Sequence, residues 1–420
     1  MTLEEFAAKA ADAVDGERAV TLTRQLVQLR SVFEPSTGGN EAEAAHFVAE
    51  ILRESGFTVT VENAAPGRPN VVADWHGTGF DPAKHKTLML EGHTDVVTEG
   101  DPAAWTHPPF AAELLDGRVY GRGACDMKAG VAAAIVAVEA VKRTLPELAG
   151  RIRLGIVADE EGMMLGIKHF IKQGWAKDVA GAIICEPEDL ELCLFQKGAL
   201  RVEVLATGKM AHGAMPYAGI NPVPPLMDFL AGVRKLEQFE QTRLGGHEHL
   251  GLPWFTPTIL RAPAGGEAQL NVMPETAYAA LDIRTVPGQD HEAIWAALEA
   301  LAEQSRGEAT LDLTRLEDRP WTETPPDDPL VSALERAYPD VLGSQPRYGG
   351  VPGATDGTFL SAWAGVPIVT VGPGAREVPH QRDEYVDAEE IVRAAKLYAA
   401  AAVYFLVEPS DDQVKAEPSG

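Results

Sequence analysis

The sequence is short of the residues that would tie it to an oxidising compartment, a membrane or a nucleic acid. Only three of its 420 residues are cysteine, Cys125, Cys185 and Cys193. That odd number suits reduced thiols in a cytoplasm better than a disulfide framework, and it is too small for a four-thiolate zinc site. No segment reaches the ~18 uncharged apolar residues that a membrane-spanning helix needs. The first residues, "MTLEEFAAKAADAVDGERAV", carry acids where a signal peptide needs bases. A soluble protein with neither export nor a membrane span is expected, and the cytoplasm is its expected location. Cations are outnumbered, 36 Lys and Arg against 62 Asp and Glu, for a formal charge of −26. Nucleic acids and anionic membranes are therefore poor partners, because binding them depends on neutralising phosphate. Small anionic substrates stay open, since a local site can carry the opposite sign. No repeat of fixed period is present, and residues 409–420 read as a disordered tail.

A chain of this length exceeds one compact core, and 45% apolar residues suffice for two. Short apolar runs that end in glycine or acids, "TLMLEGHTD", "IRLGIVADEEG", "GAIICEP" and "VPIVTVGPG", alternate with helical patterns such as "MKAGVAAAIVAVEAVKRT" from Met127. This is the texture of βα units, so an α/β fold with a mainly parallel sheet and helices on both faces is expected. From about Leu200 the texture changes. "LRVEVLATGK" and "TAYAALDIRT" alternate with period two, and each precedes a helical stretch, near Pro222 to Leu236 and His291 to Gln304. The reading is a catalytic domain built from 1–198 and 315–408, with an α+β domain inserted at 199–314. "YPDVLGS" and "GVPIVTVGPG" then return to the first style.

Three acids stand together in "LGIVADEEGMML", Asp159, Glu160 and Glu161, at the end of an apolar run. Like charges there cost free energy unless something positive offsets them. The other strand ends supply related groups: His93 and Asp95 in "GHTDVV", Asp126 in "GRGACDMKAG", Glu186 in "CEP" and His380 in "GPGAREVPHQRDEY". Ligands collect beyond the carboxyl ends of parallel strands. Imidazole and carboxylate are the ligand types that a pair of zinc-like ions takes. Met163 and Met164, which follow the acids, read as core filling.

From about Thr23 to Leu406 the ordered motifs "GHTDVV", "GRGACDMKAG", "ADEEG", "CEP", "GKMAHGAMPYAGINP", "NVMP", "DIRT" and "GATDG" with "HQRDEY" resemble one family. It is that of the dinuclear zinc amidohydrolases and exopeptidases, which includes acetylornithine deacetylase, succinyl-diaminopimelate desuccinylase, aminoacylase and glutamate carboxypeptidase. The resemblance implies two divalent ions, zinc with cobalt or manganese as alternatives. His93 and Glu186 would hold one ion, Glu161 and His380 the other, and Asp126 would bridge them. Asp95 would support His93, and Glu160 would act as general base toward a water held between the ions, the resulting hydroxide attacking an amide carbonyl. His212 of "MAHGAM" would stabilise the oxyanion, usually from the partner subunit of a homodimer formed through the inserted lid domain. Asn271, Arg284, Gly353 and Thr355 would bind substrate, Arg284 by a fork that matches two carboxylate oxygens. The bond after Asp126 would be a cis peptide. The implied substrate is an N-acyl amino acid, with deacetylation placed ahead of desuccinylation and a dipeptidase or carboxypeptidase third. A phosphoesterase would be expected to add cations for phosphate, and a scaffold without turnover has no use for Glu160.

Overall fold

The computed structural model describes residues 1–407; the expected tail at 409–420 lies outside the described residues. The chain divides into two compact units, one formed by 1–194, 324–349 and the residues from 355 onward, the other by 195–323 with 350–354.

In the first unit the strands Arg151–Val157, Thr87–His93, Gly181–Ile184 and Ile368–Thr370 lie side by side and parallel. Antiparallel strands flank them, Arg68–His76 and Thr58–Ala65 on one side and Leu192–Gln196 on the other. The parallel strands are almost wholly buried because both faces are covered, and their cores are apolar apart from Arg153, Glu91 and His93. Helices Leu165–Lys172 and Gly357–Ala364 meet over Met89, Ala182, Ile184 and Ile368. Helices Ala129–Thr144 and Ala388–Leu406 pack together and cover the other face. Gly130 lets the first of these approach closely, since a Cβ there would lie 2.0 Å from the Cys185 carbonyl oxygen. That contact fixes the segment carrying Asp126 against the strand end carrying Glu186.

Two readings change. "YPDVLGS" is not a strand: Tyr338 to Leu342 close the helix Pro329–Leu342, which buries Leu330, Leu334, Ala337 and Tyr338 at helical spacing despite Pro339. Of the two methionines only Met164 fills the core, while Met163 is 44% exposed.

The second unit is an antiparallel sheet in the order Trp254–Arg261, Thr276–Thr285, Gly198–Thr207, Thr310–Arg319. Buried and half-buried residues alternate strictly along Thr276–Thr285, as its period-two pattern requires. Helices Val223–Leu244 and His291–Ser305 close one face through Leu226, Phe229, Val233, Ile294 and Leu298. The strand Thr310–Arg319 pairs with Gly198–Thr207 up to Arg319, so the boundary expected at 314 falls inside a strand.

Candidate metal centre

His93 is the last residue of its strand, and its ring is buried. Its Nδ1 lies 2.9 Å from the Asp95 carbonyl oxygen, which can only accept. The Nδ1 proton is committed there, so Nε2 faces the cluster as the ligand atom. Nε2 is 3.2 Å from Asp126 Oδ1 and 3.4 Å from Glu186 Oε1. Asp126 sits in the turn Ala124–Lys128 ahead of the helix, entered through Gly123 at φ 81°, and the Asp126–Met127 peptide is cis. Its other oxygen, Oδ2, is 3.3 Å from His380 Nε2, which is 2.9 Å from Glu161 Oε1. One carboxylate thus faces both histidines, one oxygen to each. Two triads result, His93 with Glu160 and Glu186, and Asp126 with Glu161 and His380, the ligand atoms of each lying within 4.8 Å of one another.

The acidic loop is held from two sides. The Asp95 carboxylate accepts the backbone N–H groups of Glu160 at 3.2 Å and Glu161 at 3.1 Å. Its expected support of His93 comes instead from its backbone carbonyl, because the carboxylate, 3.7 Å from Nδ1, is turned to the loop. Asp159, the first of the three acids, has its own cation: buried Arg68 bonds to it and to Glu41 and lies over the Phe33 ring. The second Asp159 oxygen accepts the N–H groups of Met163 and Leu165. Sequence reasoning did not single out Arg68, Glu41, Arg122 or Glu384. The last two lie inside quoted motifs, and that was their only signal. It also passed over Glu91, which shares a strand with His93 at the period-two spacing that turns both to one side.

Electrostatics mark the cluster as short of positive charge. Burial, then Asp126, pushes Glu186 up to about 8. Burial also lifts Glu160 well above the usual carboxylate range, with Glu186 and Asp356 adding repulsion that His93 only partly offsets. Glu161 rises through burial and Asp126. Glu91 rises through burial, Asp356 and Glu186. Asp126 moves the other way: burial favours its neutral form, but hydrogen bonds from His380 and His93 outweigh it. The same bonds, to Asp126 and Glu161, raise His380 to about 10. Four carboxylates face two imidazoles, a surplus that divalent cations would neutralise. The nitrogen and oxygen donors fit zinc, cobalt or manganese.

The structure brings His93, Asp126, Glu160, Glu161, Glu186 and His380 together. Thr355 is buried in the same unit, its hydroxyl accepting the Gly357 N–H at 3.2 Å. His212, Asn271, Arg284 and Gly353 belong to the second unit. His212 and Asn271 are neighbours, since the Asn271 carbonyl accepts the Gly213 N–H at 2.7 Å. His212 is exposed, and its Nδ1 accepts the Ala214 N–H at 3.0 Å, which leaves Nε2 as the protonated, donating nitrogen. Arg284 differs from expectation. Its Nε and Nη2 fork is taken by Asp282, at 2.7 and 3.1 Å, because the two side chains share one face of their strand.

A parallel-centred sheet with one histidine and carboxylate triad at its strand ends and a second drawn partly from the turn of Asp126 and the loop of His380, joined to an antiparallel insert, defines a metallohydrolase. The chain belongs to peptidase family M20/M25/M40, whose profile matches residues 89–404. The succinyl-diaminopimelate desuccinylase of Phenylobacterium zucineum is 33% identical over 406 residues, covering 92% of this chain and 98% of that protein. Succinyl-diaminopimelate desuccinylase 2 of Ruegeria sp. is 31% identical over 405 residues, covering 93% and 95%. In fold, the chain is similar to an M20 family metallo-carboxypeptidase from Sulfolobus solfataricus, with TM-score 0.75 at 19% identity over 92% of this chain and 99% of that one.

Proposed function

We propose that the protein hydrolyses the amide bond of N-acyl amino acids, using two divalent ions, zinc or alternatively cobalt or manganese. The observation that carries this is the two-triad cluster with Asp126 facing both histidines. The names of the relatives move a succinyl group ahead of an acetyl group, with a dipeptide as the second reading.

Bound ions would acidify a water and polarise the carbonyl of the substrate. His93, Glu186, Asp126, Glu161 and His380 are the residues assigned to hold them. Glu160 takes the proton of the attacking water and passes it to the leaving amine. Asp95 keeps Glu160 in place through its backbone N–H. His212 donates from Nε2 as charge develops on the carbonyl oxygen. Asn271, Arg284, Gly353 and Thr355 are assigned to the substrate, Arg284 releasing part of its bond to Asp282 for a carboxylate.

A second copy of the chain is the proposed partner, in a cytoplasmic homodimer. The strand Trp254–Arg261 is an edge of its sheet, with Trp254, Ile259 and Leu260 exposed, and Met227 and Phe239 are exposed on Val223–Leu244. Such edges and apolar patches invite pairing. His212 then serves the partner's site. Mixing inactive Glu160→Ala with inactive His212→Ala should restore about a quarter of the sites after random exchange in two-fold dimers. No recovery after demonstrated exchange would refute this.

The decisive test is a panel of N-succinyl and N-acetyl amino acids, dipeptides and p-nitrophenyl phosphate, with zinc, cobalt or manganese added. Metal-dependent cleavage of acyl amino acids is expected. Faster turnover of dipeptides would transfer the assignment to a dipeptidase, and cleavage of the phosphate ester alone would overturn amide chemistry.

A further inference from the structure

Two segments from distant parts of the chain, 121–126 and 380–384, carry one candidate ligand each, and each segment grips the other's. Glu384 Oε1 accepts the N–H groups of Cys125 at 3.0 Å and of Asp126 at 3.1 Å. Arg122 donates through Nη1 to Glu384 and through Nη2 to the His380 carbonyl oxygen at 3.3 Å. The Gly121 N–H closes the circuit on the Glu384 carbonyl at 2.8 Å. Arg122 and Glu384 are 3% and 1% exposed, and the guanidinium lies 5.1 Å from the centre of the Trp105 ring.

A buried ion pair is seldom the most stable solution, because well-packed apolar residues often do as well. What this pair adds is direction. It grips the backbone of Asp126 and His380 and leaves their side chains for other work. The two triads differ in their need for such a grip. His93 ends a strand paired with two neighbours, and Glu160 and Glu186 follow strand ends in the same sheet. His380 stands in a loop at φ 66°, and its side chain is half exposed.

We propose that Arg122 and Glu384 are positioning residues that lock Asp126 to His380 and so build the metal position of Glu161 and His380, while the position of His93 and Glu186, which meets the clamp only through the shared Asp126, depends on them less. This rests on the reading above that the triads hold ions.

The test uses full-length protein stripped with a chelator and titrated with zinc or cobalt, reading ions per chain and the affinity of each step, with the unfolding midpoint of the ion-free form as control. Wild type should bind two ions. Glu384→Gln turns an amide N–H toward Arg122, and Arg122→Met removes both donated bonds. Each should weaken one affinity by ~10–100-fold, the usual range for residues that orient ligands, and the other by clearly less. Arg122→Lys, which can reach one acceptor but not both, should fall between and partly rescue the second site. If Glu384→Gln does not fold, the Arg122 pair decides. Unchanged affinities in folded variants, or an equal loss at both sites, would overturn the clamp while the metal reading stood. Wild type binding fewer than two ions would instead bring down the metal reading, and the clamp with it.

Discussion

The inserted unit and the candidate metal cluster of the first unit handle charge in opposite ways. In the inserted unit, carboxylates on the sheet and helices meet cations of the same unit: Asp282 with Arg284 at 2.7 Å, Asp318 with Arg315 at 2.9 Å and Glu240 with Arg243 at 2.6 Å. In the cluster of the first unit, Asp126, Glu160, Glu161 and Glu186 have two imidazoles among them. The protein is able to pair its acids, as Arg68 does for Asp159 immediately beside the cluster. The surplus is therefore local, and it lies where the family's chemistry is expected.

The sharpest way to break this comparison is to remove the acid shared by the triads. Asp126→Ala should lose bound metal and reduce hydrolysis to background, which elemental analysis beside a rate assay would show. Full metal content would sink its bridging assignment. Glu160→Gln should retain both ions yet lose ~10²–10⁴-fold in kcat, the scale of general-base removal. Metal loss in parallel would make Glu160 a ligand instead. Arg68→Met tests the paired side of the boundary. It strands Glu41 and Asp159 as buried charges, so denaturant unfolding should report a loss of ~3–5 kcal/mol.

The pH dependence of the ion-free protein follows from the same surplus. Glu186, up to about 8 through burial and Asp126, and His380, up to about 10 through its bonds to Asp126 and Glu161, bind protons more tightly folded than unfolded. Their stabilisation is complete below the unfolded values and is lost as pH rises through the folded ones. The Tm of chelated protein should fall from about pH 5 to about pH 10, and saturating metal should flatten the slope. A flat profile without metal would contradict the surplus. The smallest effect belongs to the insert. Arg315→Gln leaves Asp318 its bond to His291 at 2.7 Å, so equilibrium unfolding should register only ~0.2–1 kcal/mol.

The sequence was most readable where function and local pattern coincide. His93, Glu160, Glu161 and Glu186 each follow or close an apolar run, and "TAYAALDIRT" writes out its own alternation. "YPDVLGS" misled because proline and glycine mark turns, whereas the helix around Pro339 is decided by burial on Leu330 and Leu334. The supports of the site were not readable, for a physical reason. Arg68 meets Asp159 across 91 residues and Arg122 meets Glu384 across 262, and no local periodicity records such pairs. Nor can a sequence say whether Asp95 offers His93 its side chain or its carbonyl oxygen, or that Asp282 already fills the fork of Arg284.

The three thiols are all free and buried. Burial leads the causes that push each of them upward, with neighbouring carboxylates adding to it at Cys125 and Cys185 and Glu188 at Cys193. Alkylating reagents act on the exposed thiolate, which none of these residues offers near neutral pH. The folded wild-type chain should therefore be silent to maleimides. A single cysteine introduced on the surface of either unit would be its only reactive handle, and a pair of such handles would let a fluorophore or spin label follow each unit with no native cysteine removed.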